Sequence, residues 1–298
     1  MCERQHDQPV CPQSLYPQVV ACLATRNAAA FIADTLSTLA EQTYPRLQVL
    51  ISDDASTDGT LAICTRFATA DPRFQVVQQP QQLGWLGNIN ALLQLAQGDY
   101  LFFMPHDDRL VPTYVTRLVE ALEHHPAAIL AFSDIEFISV TGVRELQTYT
   151  DLDGVKHPVS RGYRVLRQRG YWWLPYRGIF RATTVSKFGR LRHNLAGERS
   201  ADWHWLLHMA LIGEFIRVPE VLYYRIQRIQ SLSRIWRYTT WAWIAAALAC
   251  GVEVQRSHLS PLDKMMLHIL VIATCFRWLL HGIQSYVFRD FRHPTSKT

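Results

Sequence analysis

Leu47-Gln48-Val49-Leu50-Ile51-Ser52-Asp53-Asp54-Ala55-Ser56-Thr57-Asp58-Gly59-Thr60 is an apolar run that stops abruptly in an acidic, glycine-bearing turn. A short apolar run bounded by turn residues reads as a buried strand, and the aspartates behind it mark its C-terminal exit. The pattern recurs at Tyr100-Leu101-Phe102-Phe103-Met104, which delivers Pro105-His106-Asp107-Asp108. Two carboxylate pairs, each at the C-terminal end of a buried strand, indicate one crevice at the top of a parallel sheet, where the ligands of α/β sheets bind. Carboxylates gathered at such an edge repel one another unless something cationic or hydrogen-bonding joins them. A divalent metal carrying a phosphorylated ligand is the economical answer.

Outward from this stretch, Val19 to Leu23 is an apolar run that ends in Thr25-Arg26-Asn27, a strand and its exit loop. Phe31, Ile32, Leu36 and Leu39 recur at helical spacing, with Pro45 just beyond. A further helix is expected from about Thr57 to Thr69. Asp58 lies at its start, where turn and cap chemistry explains it best. Phe74–Gln78 is a third strand, followed by the glycine-bearing loop 82–88 and a helix through Ala96. Pro112–His124 reads as a helix and Ile129–Asp134 as a strand. This alternation predicts an α/β, Rossmann-like, mostly parallel sheet flanked by helices. There is no G-x-G-x-x-G after the first strand and no G-x-x-x-x-G-K-[ST], which disfavours a dinucleotide site and a P-loop.

Past about residue 140 the pattern loosens. Residues 141–168 read as polar and irregular, with turn signals at Gly142, Asp153-Gly154 and Arg161-Gly162. The aromatic cluster Tyr171–Tyr176 leads to a short strand at Gly178–Arg181 and a helix near Thr184–Phe188. A helix from Asp202 to Ile212 ends at Gly213, and Phe215–Val218 and Val221–Arg225 follow as extended segments. The remainder is helical in pattern. Three parts result: a loose arm over 1–17, a main domain over 18–235 with halves 18–134 and 135–235, and a helical extension over 236–298.

The chain has 298 residues, 49% hydrophobic and 18% charged, enough for one large core with an appendage. Its net charge of +5 is dispersed and forms no Lys/Arg block, which argues against a nucleic-acid partner. Six cysteines show no zinc spacing, and the chain opens on polar residues without an apolar signal core. The expectation is a reduced, cytoplasmic protein. Met265 to Phe288 is apolar but interrupted by His268, Arg277, His281 and Gln284, so these segments read as packed or interfacial helices and not as spans. With Trp236, Trp241, Trp243, Arg277 and Trp278 they suit either peripheral membrane contact or a homodimer contact.

Taken in order, several signatures form one series: Thr25-Arg26-Asn27, Gln42-Thr43-Tyr44-Pro45, Asp53 to Thr60, Gly84…Asn88-Ile89-Asn90, Gly98 to Asp108, Ala201-Asp202, and Tyr224-Arg225…Ser231-Leu232-Ser233. From about residue 18 to 233 the chain resembles the inverting family 2 glycosyltransferases, which have the GT-A fold. The resemblance implies metal-dependent transfer of a sugar from a nucleotide-sugar donor to a glycan or lipid-linked acceptor, in cell-surface polysaccharide assembly at the inner face of the cytoplasmic membrane. It implies Mg²⁺ or Mn²⁺ as cofactor. By resemblance, Asp108 aligns with the aspartate closest to the metal and Asp107 with its partner on the donor. Asp54 aligns with the carboxylate that accepts from the base N3–H, with Asp53 beside it, which favours UDP- or dTDP-sugars. Thr25, Asn27 and Asn88 complete the nucleotide-binding candidates, and Asp202 matches the general base.

Two positions depart from the pattern: Pro105 stands where many relatives carry aspartate, and Ala201 where glutamate is common. Trp172, Trp173 and Arg225 are candidates for the acceptor side or a lid, with Arg228 beside them. His106, His204 and His208 are better read as packed or solvated than as ligands. Two alternatives stay open. A sugar-1-phosphate nucleotidyltransferase shares the sheet, but Ala24–Ala30 lacks its glycines and lysine. The other is a non-catalytic glycan- or nucleotide-binding homologue, or a scaffold of a glycan-assembly complex.

Overall fold

The computed structural model describes residues 16–229 and 239–290. Strands β1 (Val19–Thr25), β2 (Leu47–Asp53), β3 (Phe74–Gln78) and β4 (Tyr100–Phe103) lie side by side in the order β3-β2-β1-β4, all parallel. β1, β2 and β4 are buried almost throughout, as strands covered on both faces must be. The crossovers are α1 (Ile32–Ala40), α2 (Thr60–Ala70) and α3 (Gly84–Leu95). α1 turns Ile32, Thr35, Leu36 and Leu39 inward, one stripe at helical spacing. This half of the sheet follows the sequence pattern closely.

Beyond β4 the sheet becomes mixed. β5 (Arg109–Leu110), α4 (Tyr114–His124), β6 (Ala128–Ile138), β7 (Arg144–Gln147) and β8 (Ile179–Arg181) precede β9 (Glu214–Ile226). β8 wedges antiparallel between β4 and β6, β9 runs parallel to β6, and β5 and β7 add antiparallel edges. The two extended segments expected around Phe215 and Val221 are therefore one strand, carried past Pro219 by register shifts against β6.

The stretch 141–168, expected to be irregular, holds β7 and helix α5 (Pro158–Arg167). The Arg161-Gly162 pair resembles a turn signal but lies inside α5. Gly162 is where Leu211 and Leu267 press on the helix; a Cβ there would stand 2.9 and 3.0 Å from their methyls. Arg161 is buried as well, its guanidinium donating to the carbonyls of Ala210, Val155 and Lys156.

After the short α6 (Val185–Phe188), helix α7 (Ala201–Ile212) is buried on every side from Trp203 to Leu211. It packs between α5 and α8 (Thr240–Arg256), and α8 packs on α9 (Pro261–Asp290). A column of indoles ties the three together: Trp203 lies 6.2 Å from Trp243, and Trp243 stacks on Trp278 at 4.5 Å and 5°. Within α9, Pro261–His281 is long and apolar enough by length and composition to cross a membrane. Its inner face, Leu267, Val271 and Thr274, is nevertheless buried. Of the N-terminal arm, Tyr16 and Pro17 dock on Tyr44, whose hydroxyl donates to the Pro17 carbonyl at 2.7 Å. Residues 1–15, Ser231-Leu232-Ser233 and Trp236 lie outside the described residues.

Candidate active site

The parallel register sets Thr25 beside Asp53 at the C-terminal ends of β1 and β2. Asp53 is fully buried, and its Oδ2 accepts from the Ser56 amide at 3.0 Å. Asp53 Oδ1, Thr25 Oγ1 and Asn88 Oδ1 are all buried without a hydrogen-bond partner. Such orphaned atoms are uncommon in folded proteins and point to a ligand or water. Asn88 is itself pinned by donating to the Ser52 carbonyl at 2.9 Å. Asp54 is also buried and accepts from the amides of Leu83 (2.6 Å) and Gly84 (3.1 Å), which fixes the entry to α3. A carboxylate has about four acceptor sites, so Asp54 retains capacity toward a ligand. Gly84 sits at φ +78, a left-handed conformation that favours glycine.

Asn27 takes φ 46 and braces the acidic turn by accepting from the Thr57 amide at 2.9 Å, while its own amide donates to Ser56 Oγ. Ala55 also sits in the left-handed region, at φ 52. α2 begins at Thr60 and not at Thr57, leaving Asp58 ahead of it as a turn residue that accepts from the amides of Thr60 and Ala29. Burial alone raises the Asp58 pKa, but these hydrogen bonds outweigh it and hold it below the usual range.

At the second acidic turn, Thr35 Oγ1 on α1 donates to the carbonyls of His106 and Asp108, at 3.0 and 2.8 Å. Asp108 is buried. Its Oδ2 accepts from the Tyr223 hydroxyl at 2.6 Å and its Oδ1 from the Ile226 amide at 3.0 Å, so β9 is tied to the exit of β4. Arg177 Nη2 stands 3.8 Å from Asp108 Oδ2. Burial pushes the Asp108 pKa up, Arg177 pulls it back, and neighbouring Asp107 adds to the rise. Asp107 itself is half-buried. His106 packs 5.3 Å from the Phe31 ring, and burial lowers its pKa to about 4, so its imidazole is neutral at pH 7.

Arg177 was not singled out by sequence reasoning, yet its charge acts on Asp107, Asp108 and Asp202 alike. It ends the 3₁₀ turn Leu174–Arg177, with its carbonyl held by the Tyr114 hydroxyl. The following Gly178 passes so close to β6 that a Cβ would lie 2.3 Å from the Ala131 carbonyl oxygen. The Arg177 Nε is buried without a partner. Ser200, at φ 57, turns the chain into α7 and sets half-buried Asp202 in the first turn, where the helix dipole favours a carboxylate. Burial raises the Asp202 pKa, and Arg177, the Trp203 amide and Arg225 oppose that rise. The available signal for Arg177 was an arginine set between an aromatic cluster and a glycine.

Arg225 lies over the Trp173 ring at 4.5 Å and the Phe137 ring at 5.4 Å, and it interacts electrostatically with Arg177, Asp108 and Asp107. Arg228 lies over Phe31 at 4.5 Å. Trp172 packs instead on Trp203, at 6.1 Å, as part of the α7 core. His204 and His208 belong to a separate buried cluster. His208 Nδ1 is 2.6 Å from Glu253 Oε2 on α8, and Glu253 Oε1 accepts from Arg192. Burial lowers the His204 pKa to about 4. The structure thus gathers Asp107, Asp108, Asp202, Arg225 and Trp173 around Arg177, with Thr25, Asn27, Asp53, Asp54 and Asn88 at the neighbouring strand ends. Among the described residues, no group of three or more His, Cys, Asp or Glu side chains converges on a metal position.

A sequence model described as Glycosyl transferase family 2 matches residues 21–205. An uncharacterized glycosyltransferase of Haemophilus influenzae is 28% identical over 122 residues, 41% of this chain and 38% of that protein. TuaG of Bacillus subtilis, whose name places it provisionally in teichuronic acid biosynthesis, is 34% identical over 93 residues, 31% of this chain and 37% of its own length. The aligned stretches thus span well under half of these relatives. S. aureus TarS 1–349 in complex with UDP-GlcNAc superposes with a TM-score of 0.68 at 16% identity, covering 87% of this chain and 73% of that one. A mannosyltransferase from Pyrobaculum calidifontis, in complex with GDP-Man and Mn²⁺, gives a TM-score of 0.54 at 18% identity, covering 94% and 79%. At these identities the two structures speak to the fold alone.

Proposed function

The chain belongs to glycosyl transferase family 2, and on that premise we propose that it moves a sugar, with inversion, from a UDP- or dTDP-sugar to a glycan or lipid-linked acceptor of cell-surface polysaccharide assembly. The observation that carries this reading is that the Arg177 charge bears on two carboxylate centres, Asp107-Asp108 at the exit of β4 and Asp202 at the start of α7. Those are the two ends a displacement needs: a charged cradle for the leaving diphosphate and a base for the incoming hydroxyl.

Asp202 takes the proton of the acceptor hydroxyl as its oxygen attacks the anomeric carbon from the face opposite the diphosphate. Its raised pKa makes it a better base, and such assistance is typically worth about 10²–10⁴-fold. Arg177 and Arg225 offset the charge that builds on the departing diphosphate. Asp53 and Asp54, with Thr25 and Asn88, hold the base; a carboxylate there selects bases that present N3–H. Trp173, fixed by Arg225, lines the acceptor side.

Asp107 and Asp108 are the residues that would hold Mg²⁺ or Mn²⁺, since one or two carboxylates together with substrate phosphates are a common cradle for a hard cation. When bound, the ion supplies Lewis-acid stabilisation of the leaving diphosphate. Asp108, already accepting from Tyr223 and Ile226, also anchors the cradle, and half-buried Asp107 is its more accessible member.

Calorimetric titration of UDP, dTDP and GDP, each with and without Mn²⁺, tests the donor half of the proposal on wild type and Asp108→Asn. UDP or dTDP binding that weakens in the variant is expected. Asp202→Asn should keep nucleotide affinity and lose sugar transfer. Failure of the folded protein to bind any nucleotide overturns the reading.

A further inference from the structure

Among the described residues, nothing covers the outer face of α9. Leu262, Met265, Ile269, Ile272, Phe276 and Leu280 recur at three- and four-residue intervals, and each is more than half exposed, between 54 and 62%. Monomeric soluble proteins seldom leave so continuous an apolar stripe in water. From Leu262 to Leu280 every exposed position is apolar except Arg277. The adjoining helix α8 adds Trp241 and Val252, 55 and 54% exposed.

Charge chooses the occupant. Arg256 and Lys264 flank the link between the two helices. At the other end Arg277 donates to the Arg167 carbonyl and feels the charges of Arg167 and Arg169. The one acid on α9 before Asp290 is Asp263, engaged with Ser260. A second copy of this chain would set that basic rim against itself. An anionic lipid surface complements it, because the stripe meets the acyl boundary and the arginines meet phosphate headgroups.

A spanning orientation is poorly served. Crossing the bilayer requires α9 to expose Leu267, Val271 and Thr274, which are buried, and to give up its packing on α8 and α5. An in-plane orientation requires no rearrangement. We infer that α9 and the adjoining edge of α8 form a docking surface for an anionic membrane, with α9 lying in the headgroup plane. The indole column Trp278–Trp243–Trp203 then carries that plane to α7, whose first turn holds Asp202. The base is thereby held in a fixed relation to the bilayer, as transfer to a lipid-linked acceptor needs.

Flotation of the full chain with vesicles tests this, using phosphatidylcholine alone and phosphatidylcholine with a quarter phosphatidylglycerol. The expected result is co-flotation with the anionic vesicles, at least tenfold weaker with the neutral ones, and weakened by salt. Ile269→Asp and Phe276→Asp lie on the exposed stripe. Each should abolish co-flotation while leaving the thermal transition unchanged. Arg277→Glu should weaken binding to anionic vesicles only. The inference is overturned if wild type ignores both vesicle types, or if light scattering shows a dimer that Ile269→Asp dissociates. UDP titration on the same preparations separates this outcome from failure of the donor-site proposal, since neither measurement depends on the other.

Discussion

Replacing Arg177 by glutamine removes the cation whose charge bears most strongly on both Asp108 and Asp202. Taking away one partner of a buried ion pair costs about 3–5 kcal/mol. The Arg177 side chain retains 20% exposure and its nearest nitrogen is 3.8 Å from Asp108, so the lower end applies, about 3 kcal/mol at pH 7.5. One pKa unit corresponds to about 1.4 kcal/mol, so this equals roughly two units of further upward displacement shared by the two carboxyls. The sign follows from linkage. Both carboxyls already titrate above their unfolded value in the native protein. A carboxyl displaced upward costs nothing below its unfolded pKa of about 3.9, and stability is lost as pH rises through the folded value. Arg177→Gln enlarges that displacement. Urea unfolding should therefore show a deficit of about 3 kcal/mol at pH 7.5 that shrinks below about 1 kcal/mol near pH 4.5. The acidic limb of the transfer rate should move upward in parallel. An equal deficit at both pH values, or none at pH 7.5, would refute the placement of Arg177 as the shared counter-charge.

Gly178→Ala drives a Cβ to 2.3 Å from the Ala131 carbonyl oxygen, a backbone atom that cannot swing aside. It should cost about 3 kcal/mol by denaturant midpoint and weaken UDP binding by displacing Arg177. Ala55→Gly relieves a left-handed residue at a cost of about 0.5–1 kcal/mol in chain entropy, so stability should hold or rise slightly. Ala55→Val should lose about 2 kcal/mol in the same urea titration.

The parallel half was legible because its strands are buried on both faces and read as uninterrupted apolar runs, each closed by a turn with its own chemistry. Asp53 and Asp107 could be placed at strand exits for that reason alone. The second half was harder because its signals conflict locally. Arg161-Gly162 carries turn composition, yet it is demanded by two leucines from other helices. Pro219 looks like a break but falls within a strand that tolerates register shifts. Arg177 was missed for a related reason. Its importance comes from what the fold sets on either side of it, residues 69 positions earlier (Asp108) and 25 later (Asp202), and no spacing rule joins them.

The family match ends at residue 205, within α7, while the indole column runs on through α8 and α9. The boundary of sequence kinship and the boundary of mechanical integrity are therefore different places. A chimaera joined where the homology stops would cut a buried helix in its second turn and leave Trp203 without Trp243. The smallest transplantable unit of this fold extends at least to Trp278. Swapping acceptor preference between relatives by exchanging C-terminal segments would, in this chain, also rebuild the footing of Asp202.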